Sequence, residues 1–230
     1  MNNYLENLNE EQKLPVLHKD GPLIVIAGAG SGKTRVLTYR IIHLINEGVD
    51  PFNILALTFT NKAALEMKNR ISQITSESVS RSIWMGTFHS VFARILRSEA
   101  PLIGYPTNFT IYDTYDSEKL ISNIIKEKKL DKDTYKAKSI KNRISSLKNN
   151  FITVENYFNN SELIEVDKAA KRDLFGEIYQ EYVRRCFKAS VMDFDDLLLN
   201  TNELLKKSPE TLLTYQHKVK YIRVVVYQDT

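Results

Sequence analysis

Cysteine is nearly absent from this 230-residue chain. Cys186 stands alone, which excludes an internal disulfide framework and makes a reducing compartment the expectation. It falls in a helical pattern, where a buried, inert thiol is expected rather than a nucleophile. No apolar run approaches the ~20 residues that a membrane-spanning helix needs. The polar, acidic N-terminus does not look like a secretory signal, so a cytoplasmic protein with no membrane partner is expected. A strong excess of one charge is also missing, since the formal net charge is only +4. Charge is unevenly spread, however. Residues 119–150 hold ten Lys/Arg against three Asp/Glu, which fits either a nucleic-acid footprint or a solvated helical face. With 43% hydrophobic and 26% charged residues, the chain is globular and can bury a core as one large or two small domains.

The most informative stretch is Leu23-Ile24-Val25-Ile26-Ala27-Gly28-Ala29-Gly30-Ser31-Gly32-Lys33-Thr34. A β-branched apolar run predicts a strand. A small-residue loop follows, and a helical pattern begins at Arg35. Strand, glycine loop and helix in that order make a triphosphate site. Glycines let backbone N–H groups converge on phosphate oxygens, and the helix adds its positive end. Lys33 would reach the β- and γ-phosphates of ATP, and the Thr34 hydroxyl would ligate Mg²⁺. The loop opens on Ala27 where the general pattern has glycine. The alternative is a glycine-rich turn without a ligand.

Other segments fall into the same rhythm. Residues 5–17 read as a helix with Asn9 as N-cap and Gln12 completing a capping box. Gln12 could instead read an adenine edge, because its amide matches the N6 donor and N7 acceptor. The helix after the loop runs to about Glu47 and ends at Gly48. Ile54–Thr60 is a buried-strand run, and Asn61 is the expected cap of a helix over Lys62–Ile71. A third strand is expected over Ile83–Phe88, with a helix after His89. This alternation predicts an α/β fold with a parallel sheet, whose ligands gather at the carboxyl ends of the strands. Thr58-Phe59-Thr60-Asn61 and Thr87-Phe88-His89 occupy such ends. Phe59 suits stacking on a nucleobase or burial in the core, and His89 suits a phosphate contact or a backbone cap. From 116 to 189 the strand signals stop. Helices are expected over Ser117–Lys128, Thr134–Asn149 and Lys168–Ala189, as an insertion. A further helix starts at Asp193, where acids crowd its first turn. A strand covers Tyr221–Val226.

Together these stretches resemble the superfamily 1 DNA helicases of the UvrD/Rep/PcrA type over the whole chain. The carrying residues are Leu8–Gln12, Ala27–Arg35, Leu57–Ala64 with Glu66-Met67, Trp84–Ser90, Asp193–Leu198 and Tyr227-Gln228-Asp229-Thr230. The resemblance implies a RecA-like P-loop sheet with helices on both faces and an inserted all-helical subdomain. It places the first part of the RecA-like domain at 1–108, the DNA-binding insertion at 109–189 and the return at 190–230. Gln12 matches the adenine-reading glutamine, Arg35 an arginine that packs on the adenine, and Ala27 a common first loop residue. Ala27, Gly28, Ala29, Gly30, Ser31, Gly32, Lys33 and Thr34 then form the ATP cradle. Lys33 and Gln228 match catalytic positions. Thr58, Phe59, Thr60, Asn61, Thr87, Phe88 and His89 match single-strand contacts. The implied activity is ATP-driven translocation on single-stranded DNA, 3′ to 5′, with unwinding of partly duplex DNA in replication or repair.

Two departures shape the expectation. The second RecA-like domain of the family has no counterpart here. In addition, the Asp-Glu pair that serves Mg²⁺ and the attacking water is replaced by Val225-Val226. Arg223 also stands where an apolar strand residue is usual. The expectation is therefore ATP binding with negligible hydrolysis by this segment. The alternatives are a nucleic-acid-binding module with a vestigial P-loop, or the helicase-like part of a nuclease–helicase.

Overall fold

The computed structural model describes residues 4–28 and 30–225. The chain divides into two compact units, residues 1–91 with 210–230, and residues 92–209.

In the first unit a short 3-10 turn, Tyr4–Asn7, leads to α1 (Glu10–Leu17). Asn9 and Gln12 form the expected capping box, with the Asn9 side chain accepting from the Gln12 amide at 2.8 Å. Then come α2 (Lys33–Asn46), β1 (Ile54–Thr58), α3 (Asn61–Ile74), α4 (Glu77–Ser82), β2 (Trp84–Thr87) and α5 (Phe88–Glu99), which continues into the second unit. β1 is buried at every position, as expected of a strand covered on both faces. It carries β2 on one side, in parallel. Its core partners are Ile41, Ile42 and Leu44 of α2 and Met67 and Ile71 of α3. The cap of α3 is Thr60 rather than Asn61. Thr60 is extended and its hydroxyl accepts from the Ala63 amide at 3.1 Å, which leaves Asn61 as the first helical residue.

The second unit contains β3 (Thr110–Tyr112), α6 (Thr114–Glu127), α7 (Ala137–Asn149), α8 (Val154–Phe158), α9 (Ser161–Ala169), α10 (Phe175–Lys188), β4 (Val191–Asp193) and α11 (Phe194–Lys207). Residues 116–189 are free of strands, as expected. The single helix expected over 168–189 is broken. α9 ends at Ala169, Lys171 takes φ 59°, and the amides of Lys171 and Arg172 close the end on the carbonyls of Lys168 and Asp167. The Asp167 carboxylate is held by Arg143 and by the Tyr157 hydroxyl at 3.2 Å, which anchors the break. β3 and β4 are short and pair in parallel, Ile111 opposite Met192. Three-residue strands give too brief a pattern to read beforehand. The core gathers Ile121, Ile140, Phe175, Tyr179 and Tyr182.

The chain then rejoins the first unit through α12 (Pro209–Lys218) and β5 (Tyr221–Val224), allowing for Pro209 itself at the boundary. β5 pairs in parallel with β1, so the sheet order is β2-β1-β5. One expectation fails here. Leu23–Ile26 joins no strand ladder, and Ile24 and Ile26 are 87% and 85% exposed. Among the described residues no strand lies beside it to pair with. The segment and Ile222–Val225 line a common cleft of about 600 Å³, into which Arg40 and Arg223 also project. A gap of that size, rather than a ladder, separates the segment from β5. Among the described residues, no helix is long and apolar enough to cross a membrane.

Candidate functional site

The glycine loop sits at the head of α2. Gly30 and Gly32 have φ 75° and 87°, the left-handed region that side chains disfavour. A Cβ at Gly28 or Gly30 would meet nothing within 4 Å, so the loop is an open cradle on those sides. A Cβ at Gly32 would meet the Gln12 side-chain nitrogen at 3.0 Å. Gln12 therefore does two things at once. Its carbonyl completes the α1 cap, and its amide donates to the Ser31 carbonyl at 3.2 Å. The cap and the loop are thus tied through one side chain. Arg35 donates to the Asn7 carbonyl and lies 5.7 Å from the Tyr39 ring centroid. Gln12 and Arg35 hence flank the loop, where an adenine reader would have to be.

Lys33 folds back on its own loop, donating to the carbonyls of Ala27 at 2.7 Å and Gly28 at 3.0 Å. The Ser31 hydroxyl also donates to Gly28, at 2.7 Å. Those carbonyls stand in for the oxygens of an anion, and a triphosphate would take over the Lys33 ammonium. The residue types fit a phosphate group. Thr34 lies in the first turn of α2 with its side chain half-buried. Among the described residues there is no cluster of three or more His, Cys, Asp or Glu that could hold a metal ion. Thr34 offers a hydroxyl, a hard oxygen donor of the kind Mg²⁺ takes alongside phosphate oxygens. Val225 donates its backbone N–H to Leu57 at 3.0 Å and packs on the core. Its apolar side chain brings no carboxylate to the site. Ala29, Val226 and Gln228 lie outside the described residues.

The second group of expected residues is brought together by the sheet. β1 and β2 run parallel with Thr58 opposite Thr87, so both strands deliver their following residues at one end. Phe59 and Phe88 meet edge to face with centroids 5.7 Å apart. Phe59 remains 59% exposed, so it is not a core residue. Thr58 is buried and its hydroxyl donates to the Thr60 carbonyl at 3.0 Å. Thr60 and Asn61 are exposed at the start of α3. Thr87 caps α5 through a bond from the Ser90 amide at 3.3 Å, and His89 lies within the first turn of α5 rather than before it.

Arg40 escaped the sequence reading. Lys33, Val36, Leu37 and Arg40 line the cleft beside the loop, and their spacing is one helical face. That spacing was the available signal. Arg40 is buried, donates one arm to the Pro15 carbonyl, and leaves Nη2 unbonded. Burial, and then the nearby Arg223 charge, lower its pKa to about 10.

The comparisons with known proteins agree in direction. The model of the UvrD/REP helicase N-terminal domain matches residues 8–230. The chain is 43% identical over its full length to an ATP-dependent DNA helicase PcrA of Staphylococcus epidermidis. It is 41% identical, again over its full length, to an ATP-dependent DNA helicase PcrA of Staphylococcus aureus. It spans 31% of the length of each of these relatives. Motif content, parallel sheet and family match all converge, and the chain belongs to the UvrD/Rep helicase N-terminal domain family.

Proposed function

We propose that this chain is the N-terminal, ATP-binding portion of an ATP-dependent DNA helicase that moves 3′ to 5′ along single-stranded DNA in the cytoplasm and unwinds duplex in replication or repair. The observation that carries the reading is the pairing of an open glycine loop with two aromatic strand ends in one unit. The loop offers N–H groups and Lys33 to phosphate oxygens. Thr34 would contribute a hydroxyl to Mg²⁺, which supplies charge neutralisation on the phosphates when bound. Gln12 and Arg35 would hold the adenine. Phe59 and Phe88 would stack on bases, with Thr60, Asn61, Thr87 and His89 on the strand's backbone. The basic run at 119–150 would add a salt-dependent phosphate contribution. With valines at 225 and 226, nothing at those positions can orient or deprotonate water, so turnover by this chain is expected to be negligible.

Calorimetric titration with Mg²⁺-ADP, with and without Lys33→Ala, tests the nucleotide site. Binding that weakens at least tenfold in the variant is expected. Equal affinities would remove Lys33 and the loop from the site. The apolar Val225 also favours a second reading, a nucleic-acid-binding module with a vestigial loop. Salt-dependent single-strand binding that nucleotide leaves unchanged would select it.

A further inference from the structure

The glycine loop is fastened to itself by one side chain, that of Ser31. Gly28 has no side chain, and a Cβ built there would meet nothing within 4 Å. Packing therefore does not fix the direction of its carbonyl, and hydrogen bonds must. Three donors converge on that oxygen. They are the Ser31 hydroxyl at 2.7 Å, the Lys33 ammonium at 3.0 Å and the Ser31 amide at 3.3 Å. The amide bond is longer than the usual range, whereas the hydroxyl bond has the favoured length for its type. The hydroxyl is the tighter of the two restraints that Ser31 places on Gly28.

Lys33 bonds the Ala27 carbonyl, at 2.7 Å, as well as that of Gly28. Successive carbonyls of an extended chain face opposite sides, so one ammonium reaches both only where the chain is turned between them. The Ser31 hydroxyl holds Gly28 in the turned direction. An opposing effect has to be weighed. A carbonyl has two lone pairs, and here three donors share them, so the hydroxyl could displace Lys33 instead of serving it. The distances decide against displacement, because Lys33 keeps a bond of 3.0 Å to the crowded oxygen. We infer that Ser31 is a positioning residue for Lys33. Acting through the Gly28 carbonyl, its hydroxyl places the ammonium at the loop before a phosphate arrives. The long lysine side chain then has less freedom left to lose on binding. The inference rests on the nucleotide reading above for its effect on affinity, and on geometry alone for the placement of the ammonium.

The test uses the full chain with Ser31→Ala, Ser31→Thr, Lys33→Ala and the double variant Ser31→Ala/Lys33→Ala. Two readouts are taken. One is Mg²⁺-ADP affinity by calorimetry. The other, which needs no nucleotide, is the rate at which acetic anhydride acylates Lys33, relative to the exposed Lys68. Ser31→Ala should weaken ADP about three- to tenfold and speed acylation of Lys33 at least about threefold. Ser31→Thr keeps a hydroxyl and should match the parent in both. Because Ser31 acts through Lys33, its removal should cost nothing further once Lys33 is gone, so the double variant should bind within about twofold of Lys33→Ala. Additive losses overturn the inference. So does tighter ADP binding by Ser31→Ala, which would mean that the hydroxyl competes with Lys33. A merely structural role would speed exchange of the Ser31 amide and leave Lys33 acylation at the parent rate, and that result also overturns it. If no form of the chain binds ADP, the nucleotide reading fails, and the acylation rates alone decide whether Ser31 places Lys33.

Discussion

Replacing Lys148 by methionine tests whether a buried ionic group holds the second unit together. Lys148 is 0% exposed. Its ammonium lies 2.7 Å from Asp193 Oδ2 and 2.7 Å from Asp196 Oδ1. Tyr182 donates its hydroxyl to Asp193 at 2.8 Å, and its ring centroid is 5.0 Å from the ammonium. Asp193 and Asp196 also form the capping box of α11. One cation therefore joins the last turn of α7 to the first turn of α11 and to β4. Burial alone would push the Lys148 pKa down, but the two carboxylates overcome it and hold it well above its usual value. Of the acids, Asp193 stays low, since Lys148 and Tyr182 outweigh its burial, whereas burial raises Asp196 to about 7.

Methionine keeps the volume and removes the charge, leaving two buried carboxylates facing each other. Breaking a buried ion pair from one side costs about 3–5 kcal/mol, a large part of the ~5–15 kcal/mol that stabilises a domain. The sole tryptophan, Trp84, lies in the first unit, so its fluorescence does not report on this change. Hydrogen exchange over Ala137–Asn149 and Phe194–Lys207 does. Protection there should fall roughly a hundred- to a few thousandfold, while β1 stays as it was. The pH sign follows from Asp196. Its folded pKa lies above the ordinary carboxyl value, so between about pH 4 and pH 7 the folded state holds a proton that the unfolded chain has released. This group's contribution to stability therefore falls as pH rises through that window. Without Lys148 the proton is held more firmly, so the defect should be larger at pH 8 than at pH 5. Adding Asp196→Asn should recover part of the loss. A loss below about 1 kcal/mol at pH 8, the range of a surface pair, would refute the claim that this triad is a structural joint.

Phe59→Ala should leave stability nearly unchanged, because the ring is 59% exposed, and should weaken single-stranded oligothymidine binding by about 1–3 kcal/mol. Fluorescence anisotropy at two salt concentrations checks it, and an unchanged affinity would remove Phe59 from the strand path. Gly32→Ala forces a side chain into φ 87° with its Cβ 3.0 Å from the Gln12 nitrogen. It should cost roughly 1–2 kcal/mol locally and loosen the Gln12–Ser31 contact, read as faster loop exchange. Gly28→Ala, where a Cβ meets nothing, is the matched control for folding, expected within about 0.5 kcal/mol of the parent.

The parts of this fold that could be read from residues are those decided within a few positions. The Asn9–Gln12 box, the stop at Gly48 and the continuous apolar β1 each carry their cause locally. The Lys148 triad could not be read, because its partner Asp193 lies 45 residues away and the acids at 193–196 already had a sufficient local explanation in the helix dipole. Leu23–Ile26 is the instructive failure. Its composition is that of a strand, but a strand is a relation between two edges, and composition describes only one of them. Arg223 is out of place in an apolar strand by residue type alone, and the structure leaves its Nε and Nη2 buried without a partner.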